Sequence, residues 1–163
     1  MLLPAGFSLH DYGPADVEAV RALHRQAFRA LAAGHHTPAQ IAAHDALVAS
    51  PAYVEDLAGS NLLLARDGAG LLVATAGWLA MSDRPDTARI RKVFVHPAYS
   101  RRGLATAMVR AAETRAGSAG LPHLFVRANI NAVPLYETLG YRAVEPGVMP
   151  AGTEALPVLF MCR

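Results

Sequence analysis

Two arginines and a glycine stand between two elements of regular structure in the stretch FVHPAYSRRGLATAMVRAAE, residues 94–113. The apolar run that ends at Val95 is typical of a strand, and the apolar spacing after Arg102 is typical of a helix. A helix N-terminus exposes unpaired backbone N–H groups and the positive end of the helix dipole. Gly103 lets the backbone approach a ligand closely because it has no Cβ. The turn therefore predicts a site for an anion such as pyrophosphate; the alternative is a tight turn with exposed arginines.

Two common nucleotide-binding motifs are absent from the sequence. No GxxxxGK[ST] segment is present, so we expect no P-loop lysine at this turn. No GxGxxG segment opens a helix either, which argues against a Rossmann dinucleotide site.

Hydrophobic periodicity predicts the elements that position this turn. The predicted order is strand, two helices, three strands, helix, strand, helix and two strands. The predicted strands are residues 7–12, 61–66, 71–80, 87–95, 123–129, 141–146 and 155–162. Strands without intervening helices favour antiparallel pairing, whereas the helix between the strands at 87–95 and 123–129 requires a crossover and hence a parallel pair. We therefore predict an α/β (α+β) fold with a mixed, mostly antiparallel sheet, a central parallel pair and helices on both faces.

Apolar spacing also predicts which parts of these elements are buried. In the strand at 87–95, Ile90 alternates with arginines and only Val93–Val95 are continuously apolar, so we expect a half-exposed start and a buried end. Cys162 ends a terminal apolar strand, where a core cysteine is expected.

Length and composition limit the classes of protein. The chain has 163 residues with 53% hydrophobic and 17% charged residues, which favours one ordered globular domain over residues 1–163. The formal net charge of +2 suits a small acidic ligand and is too weak to indicate nucleic acid. A single cysteine excludes an internal disulfide, and the first residues lack the pattern of a signal peptide, so we expect a cytoplasmic protein without membrane segments.

Two segments resemble signatures of the GNAT (GCN5-related) N-acetyltransferase superfamily. VHPAYSRRGLA is similar to the acyl-CoA-binding signature, whose core is [Q/R]-x-x-G-x-[G/A], with Ser100 at the position that usually holds Gln or Arg. NINAVPLYETLGY is similar to the second signature, N-x-x-A-x-x-L-Y-E-x-x-G-[F/Y]. The two occur in the family order, about 30 residues apart, and together are far more specific than either alone. The resemblance covers Asn61 to Arg142 well.

The resemblance implies how acetyl-CoA binds and reacts. Its pyrophosphate would contact the backbone of one turn, formed by Arg101, Arg102, Gly103, Leu104, Ala105 and Thr106. Its pantetheine arm would pair with the strand end formed by Val93, Phe94 and Val95. Asn129 would lie beside the pantetheine or the thioester, and Tyr136 would stand near the departing sulfur. A tyrosine is protonated at neutral pH, so Tyr136 can act as the general acid; the alternative is a half-buried packing residue.

No residue stands out as the general base. Many family members carry a glutamate on the strand before the signature, but DTARIRKVFV has none. His96 lies at the signature's own turn, where a surface histidine is expected. His35, His36 and His44 fall near the connection between the first two helices, with spacing that is poor for zinc, so no metal is expected.

We therefore expect an N-acetyltransferase that moves an acetyl group from acetyl-CoA to a primary amine of a small molecule or peptide, by direct attack. The alternative is a non-catalytic acyl-CoA-binding or sensing domain of the same fold. A nucleic-acid-binding module has only the Arg89-Arg91-Lys92 and Arg101-Arg102 clusters in its favour, without aromatic stacking residues, and is not expected. A homodimer through the apolar C-terminal strand is possible by analogy with the family. The sequence does not identify the acceptor.

Overall fold

A mixed seven-stranded sheet forms the centre of the computed structural model, which describes residues 3–31 and 33–163. The strands are β1 (Phe7–Asp11), β2 (Leu63–Asp67), β3 (Leu72–Ala80), β4 (Thr87–Val95), β5 (His123–Asn129), β6 (Arg142–Ala151) and β7 (Glu154–Cys162). They lie in the order β1-β2-β3-β4-β5-β7-β6, and β4–β5 is the parallel pair. The other neighbouring strands are antiparallel. The predicted fold class is confirmed.

Five α-helices accompany the sheet in the described ranges. They are α1 (Val17–Leu31), α2 (Pro38–Ala49), α3 (Pro51–Ala58), α4 (Leu104–Ser118) and α5 (Val133–Thr138). Thr37 caps α2, because its side chain accepts a hydrogen bond from the Gln40 N–H. Helix α3 was absent from the predicted elements, although Ser50 caps it and Pro51 occupies its first position. None of the helices in the described part of the chain has the length and hydropathy needed to cross a bilayer.

The two faces of the sheet are covered by different helices. Ala74 and Ala76 of β3 belong to the core cluster that contains Met108 of α4. Thr75, between them, points to the opposite face and meets His24 of α1. The main core therefore lies between α4 and the sheet, while α1 packs across the other face.

The end of β7 corrects one sequence expectation. Cys162 is exposed, whereas its neighbour Met161 is fully buried. Successive residues of a strand face opposite sides of the sheet, so an apolar run does not decide which residue faces the core. Cys162 is therefore a surface cysteine and not a core residue.

Gly77 of β3 allows the segment after α3 to lie directly against the sheet. The Trp78 N–H donates a hydrogen bond to the Ser60 carbonyl at 2.8 Å. A Cβ at Gly77 would stand 2.5 Å from that same carbonyl oxygen and 3.2 Å from Cδ1 of Leu62. Because the Ser60 carbonyl oxygen belongs to the backbone, a side chain at residue 77 would require either β3 or the segment after α3 to move.

We predict that Gly77→Ala lowers the free energy of unfolding by about 1–3 kcal/mol, the usual cost of overpacking. Gly68→Ala is the matched control, since a Cβ at Gly68 meets no atom within 4 Å. Urea denaturation of both variants measures the difference. Equal stability of the two variants would show that the contact with Ser60 does not restrict this position.

Candidate active site

The sheet opens between its two parallel strands. Strands β4 and β5 pair only over Thr87–Ile90 and His123–Val126. Beyond that point β4 follows β3 to Val95, and β5 follows β7 to Asn129. The backbone groups of β4 that would otherwise pair with β5 therefore face an opening in the sheet.

A bulge lies where β4 leaves β5. Thr75 pairs with Phe94 and Gly77 with Arg91, so Ala76 alone faces two residues of β4, Lys92 and Val93. Lys92 has a φ of 56°, in the left-handed region. Such bulges bend their strand and often occur beside functional sites.

The opening changes the burial predicted for β4. Thr87, Ala88 and Ile90 at the start are buried, whereas Val93 and Phe94 are only partly buried and burial returns at Val95. The prediction of a half-exposed start was wrong, and that of a buried end was wrong for Val93 and Phe94. It failed because β5 covers only the first half of β4, and pairing between distant segments cannot be read from a local apolar run.

The basic turn leaves the beginning of α4 without a side-chain cap. Arg101 and Gly103 both adopt the left-handed region, with φ of 65° and 78°, and α4 begins at Leu104. The Ser100 hydroxyl donates to the Pro97 carbonyl at 2.8 Å and does not cap the helix. A left-handed arginine costs about 1–2 kcal/mol, and such strain is characteristic of binding sites. The first N–H groups of α4 are thus available to an anion.

A cleft of about 630 Å³ joins this turn to the opening in the sheet. The predicted site residues that line it are Val93, Phe94, Val95, Arg101, Gly103, Leu104, Ala105, Thr106, Asn129 and Tyr136. Arg102 is the exception: it is exposed, and its guanidinium carbon lies 4.9 Å from the centre of the Tyr99 ring. The fold therefore brings two distant sequence segments into one cleft of ligand size.

Tyr136 lies on α5 with its side chain only 4% exposed. Its ring packs edge-on against Tyr141, with centroids 5.4 Å apart, and the Tyr141 hydroxyl donates to Glu113 at 2.9 Å. Burial, helped by the negative charge of Glu113, raises the pKa of Tyr136 above its ordinary value. The phenol therefore keeps its proton at neutral pH and is available as a hydrogen-bond donor or general acid.

Helix α1 and the loop after it supply lining residues that were not among the predicted site residues. Ala27 and Phe28 of α1, and His35 beyond it, line the same cleft. Ala27 falls on the apolar face of α1, but periodicity alone does not separate residues that line a cleft from residues that face a core. Only the packing of α1 across the opening makes the distinction.

A buried chain of hydrogen bonds ends at the bulge in β4. Thr75 uses its single hydroxyl proton to donate to the Lys92 carbonyl at 2.7 Å, so its oxygen must accept from Nε2–H of His24 at 2.8 Å. Neutral His24 then accepts at Nδ1 from the Tyr53 hydroxyl, 2.7 Å away. Burial, together with the positive charge of Lys92, holds the pKa of His24 well below its usual value. The His24 ring also stacks on Phe94 with centroids 4.2 Å apart.

His44 of α2 continues this aromatic packing. Its ring stacks on Phe28 at 3.8 Å, nearly parallel, and is only 3% exposed. Burial lowers the pKa of His44 to about 4, because the neighbouring charges of Lys92 and His36 add to desolvation and outweigh the opposing effect of Asp45. His44 is therefore uncharged at neutral pH.

A family model for the acetyltransferase (GNAT) domain matches residues 32–158 of the chain. The matched region contains the turn, the opening in the sheet and Tyr136. No curated protein sequence matches the chain significantly.

Solved acetyltransferase structures are similar to the whole chain. One is a GCN5-related N-acetyltransferase from Rhodopseudomonas palustris, with a TM-score of 0.86 and 26% identity over 100% of this chain and 98% of that one. A second, the PaiA N-acetyltransferase from Thermoplasma acidophilum in complex with coenzyme A, has a TM-score of 0.78 and 12% identity over 96% and 98%. A third is the ribosomal-protein-S18-alanine N-acetyltransferase from Escherichia coli, with a TM-score of 0.64 and 19% identity over 96% and 92%. The last two likenesses show a shared fold.

We predict that His44 makes the protein less stable as the pH falls from about 6.5 to about 4. In that range the unfolded chain binds a proton at His44 and the folded chain does not, so the free energy of unfolding decreases. A pKa difference of this size lowers the free energy of unfolding by about 2–3 kcal/mol at pH 4.5. His44→Gln removes the titrating group, so the variant should lose that much less stability than the wild type between pH 7 and pH 4.5. Urea denaturation at the two pH values measures these losses. Equal losses of stability in the wild type and in His44→Gln would contradict the assignment of this pH dependence to His44.

Proposed function

Since this chain belongs to the GNAT acetyltransferase family, we propose that it transfers an acetyl group from acetyl-CoA to a primary amine of a small molecule or peptide. The observation that carries the proposal is the single cleft that joins an uncapped helix N-terminus, the free edge of β4 and Tyr136. Each of these features suits a different part of an acyl-CoA thioester.

The turn before α4 is suited to the pyrophosphate of acetyl-CoA. Backbone N–H groups from 101–106, the positive end of the α4 dipole and the charges of Arg101 and Arg102 all favour an anion there. A Cβ at Gly103 would meet no protein atom within 4 Å, so its place is open to a ligand. Because the donors are backbone groups, Ser100 in place of a longer polar residue does not remove them. The coenzyme A complex of the Thermoplasma relative supports this choice of co-substrate.

The free edge of β4 is suited to the pantetheine arm. Amide groups of an extended arm can pair with the backbone of Val93–Val95 as an added strand would. Such pairing satisfies the backbone groups that face the opening. It also directs the arm from the turn toward Asn129 and Tyr136.

In the proposed reaction a neutral amine attacks the carbonyl carbon of the thioester directly. The C–N bond forms, the C–S bond breaks, and the sulfur leaves with the electron pair of that bond. Tyr136 donates its phenolic proton to the sulfur as the C–S bond breaks, which avoids release of a free thiolate, and then regains a proton from water. The amine proton is lost through the cleft to water, and we assign no residue as the base.

The first test of the proposal is stabilisation by the co-substrate. Acetyl-CoA at about 100 times its dissociation constant should add about 2.7 kcal/mol of stability and raise the melting temperature by several degrees. Gly103→Glu should weaken the affinity for acetyl-CoA at least tenfold, because the introduced carboxylate repels pyrophosphate. Gly120→Glu is the matched control, because Gly120 has a similar φ of 84° and lies beyond the other end of α4. Absence of stabilisation in the wild type would contradict acyl-CoA binding altogether.

The second test concerns Tyr136 and uses release of the coenzyme A thiol across a panel of amines. Tyr136→Phe should reduce turnover by about 10²–10⁴, the usual contribution of a general acid, and leave acetyl-CoA stabilisation unchanged. Tyr141→Phe is the matched control, since it removes a neighbouring phenol that bonds to Glu113 and is not part of the cleft lining. Full turnover in Tyr136→Phe would remove the general-acid role. Stabilisation without turnover on any amine would favour the sensing domain.

A further inference from the structure

A second, smaller cavity of about 100 Å³ meets the cleft at the opening in the sheet. Residues shared by both linings are Val93, Phe94, Asn129, Ala132 and Tyr136. The remaining walls of the small cavity come from α2, α3, β4, β5 and β6. It therefore adjoins the end of the cleft where Tyr136 lies and where, in the proposed function, the thioester would meet its acceptor.

The lining of the small cavity is strongly basic. It contains four cationic side chains, Arg89, Arg91, Lys92 and Arg127, and no aspartate or glutamate. His44, which also lines it, is uncharged at neutral pH. The net charge of +2 for the whole chain conceals this concentration of positive charge at one place.

A single carboxylate partly balances these four charges. Asp56 of α3 accepts ion pairs from Arg91 at 2.5 Å and from Lys92 at 2.8 Å. The Lys92 ammonium also lies 3.9 Å from the centre of the Tyr53 ring. Asp56 therefore neutralises one of the two cations that it contacts, and the group retains an excess of positive charge.

Arg89 and Arg127 form no ion pair within the described residues. Arg89 pairs in register with Phe125 of β5, and Arg127 lies two residues further along that strand. The two arginines therefore project from the same face of the sheet on neighbouring strands. Burial lowers the pKa of Arg89 to about 10, and the charges of Arg91 and Arg127 contribute to this shift.

We propose, on the basis of the function proposed above, that the amine acceptor carries an anionic group, a carboxylate or a phosphate, which Arg89 and Arg127 bind in the small cavity. A guanidinium presents a planar pair of donors that matches either anion. The anion supplies negative charge that balances part of the positive charge left uncompensated by Asp56. Its small site suits a compact acceptor whose amine reaches through the opening toward Tyr136. Polyamines and other polycationic acceptors are disfavoured, because like charges would meet within the cavity.

Matched amines test this acceptor class through release of the coenzyme A thiol. Amino acids are compared with their amides, and O-phosphoethanolamine with ethanolamine, with spermidine as a polycation. We expect kcat/KM at least 100-fold higher for the anionic member of the productive pair. The pair that shows the difference distinguishes carboxylate from phosphate. Equal or better turnover of the neutral amines or of spermidine would overturn the proposal and leave the acetyltransferase activity standing.

Variants locate the effect at the two arginines. Arg89→Gln and Arg127→Gln should each raise KM for the anionic acceptor by about 10–100-fold, with acetyl-CoA stabilisation unchanged. Arg142→Gln, which removes an exposed arginine of β6 outside both cavities, should change neither value. Arg127 is exposed, so its variant remains informative if Arg89→Gln fails to fold. Unchanged KM in Arg127→Gln would contradict the assignment.

Direct binding separates this proposal from the acetyltransferase proposal. Malonate and inorganic phosphate are titrated by calorimetry into protein saturated with coenzyme A, so that the turn before α4 is occupied. We expect one of them to bind, and at least tenfold more weakly to Arg127→Gln than to Arg142→Gln. If coenzyme A does not bind, the proposed function fails, and the same titrations on the free protein still compare the two variants. No binding of either anion, or equal binding to both variants, would refute the anion site.

Discussion

The hydrogen-bonded chain from Tyr53 through His24 and Thr75 to the Lys92 carbonyl is the constraint on which the rest of the site depends. It links α3, α1 and β3 to the one residue of β4 that adopts a left-handed conformation. The Tyr53, His24 and Thr75 side chains in this chain are buried, so loss of one partner would leave the next unsatisfied. The chain therefore stabilises the bulge at the point where β4 leaves β5. Without that departure the parallel pair would continue and the sheet would be closed.

The opening divides the site into two chemically different halves. On the side of α4, the binding groups are mainly backbone: the free edge of β4 and the uncapped N–H groups of the helix. On the opposite side they are charged side chains gathered around Asp56. Backbone groups suit a co-substrate that is common to a family, since they depend on local geometry more than on residue type. Side chains suit the acceptor, since they can differ from one member to another.

Several features were predictable because their signals are local. The turn at Gly103, the cap at Thr37 and the order of the strands follow from residue types and periodicity within short windows. The parallel pairing of β4 and β5 follows from the helix between them, since a crossover connection permits it. The two signatures placed the chain in its family before any contact was known.

Other features depend on which distant segments meet. The basic residues of β4 were visible in the sequence, but only the register with β5 brings Arg127 beside Arg89. His24 carries no local mark that distinguishes it from an exposed helical histidine, and its role arises from Thr75, 51 residues away. The half-open end of β4 and the exposed Cys162 were mispredicted for the same reason. An apolar run shows that a strand is present but not which neighbour covers it.

The most direct test of the central claim is a crystal structure of the protein with coenzyme A. The account predicts pyrophosphate oxygens within hydrogen-bonding distance of backbone N–H groups of residues 101–106. It also predicts pantetheine amides paired with the backbone of Val93–Val95, and the sulfur beside the Tyr136 hydroxyl. Coenzyme A bound outside the opening, or β4 and β5 paired beyond Ile90 and Val126 with the opening closed, would contradict it.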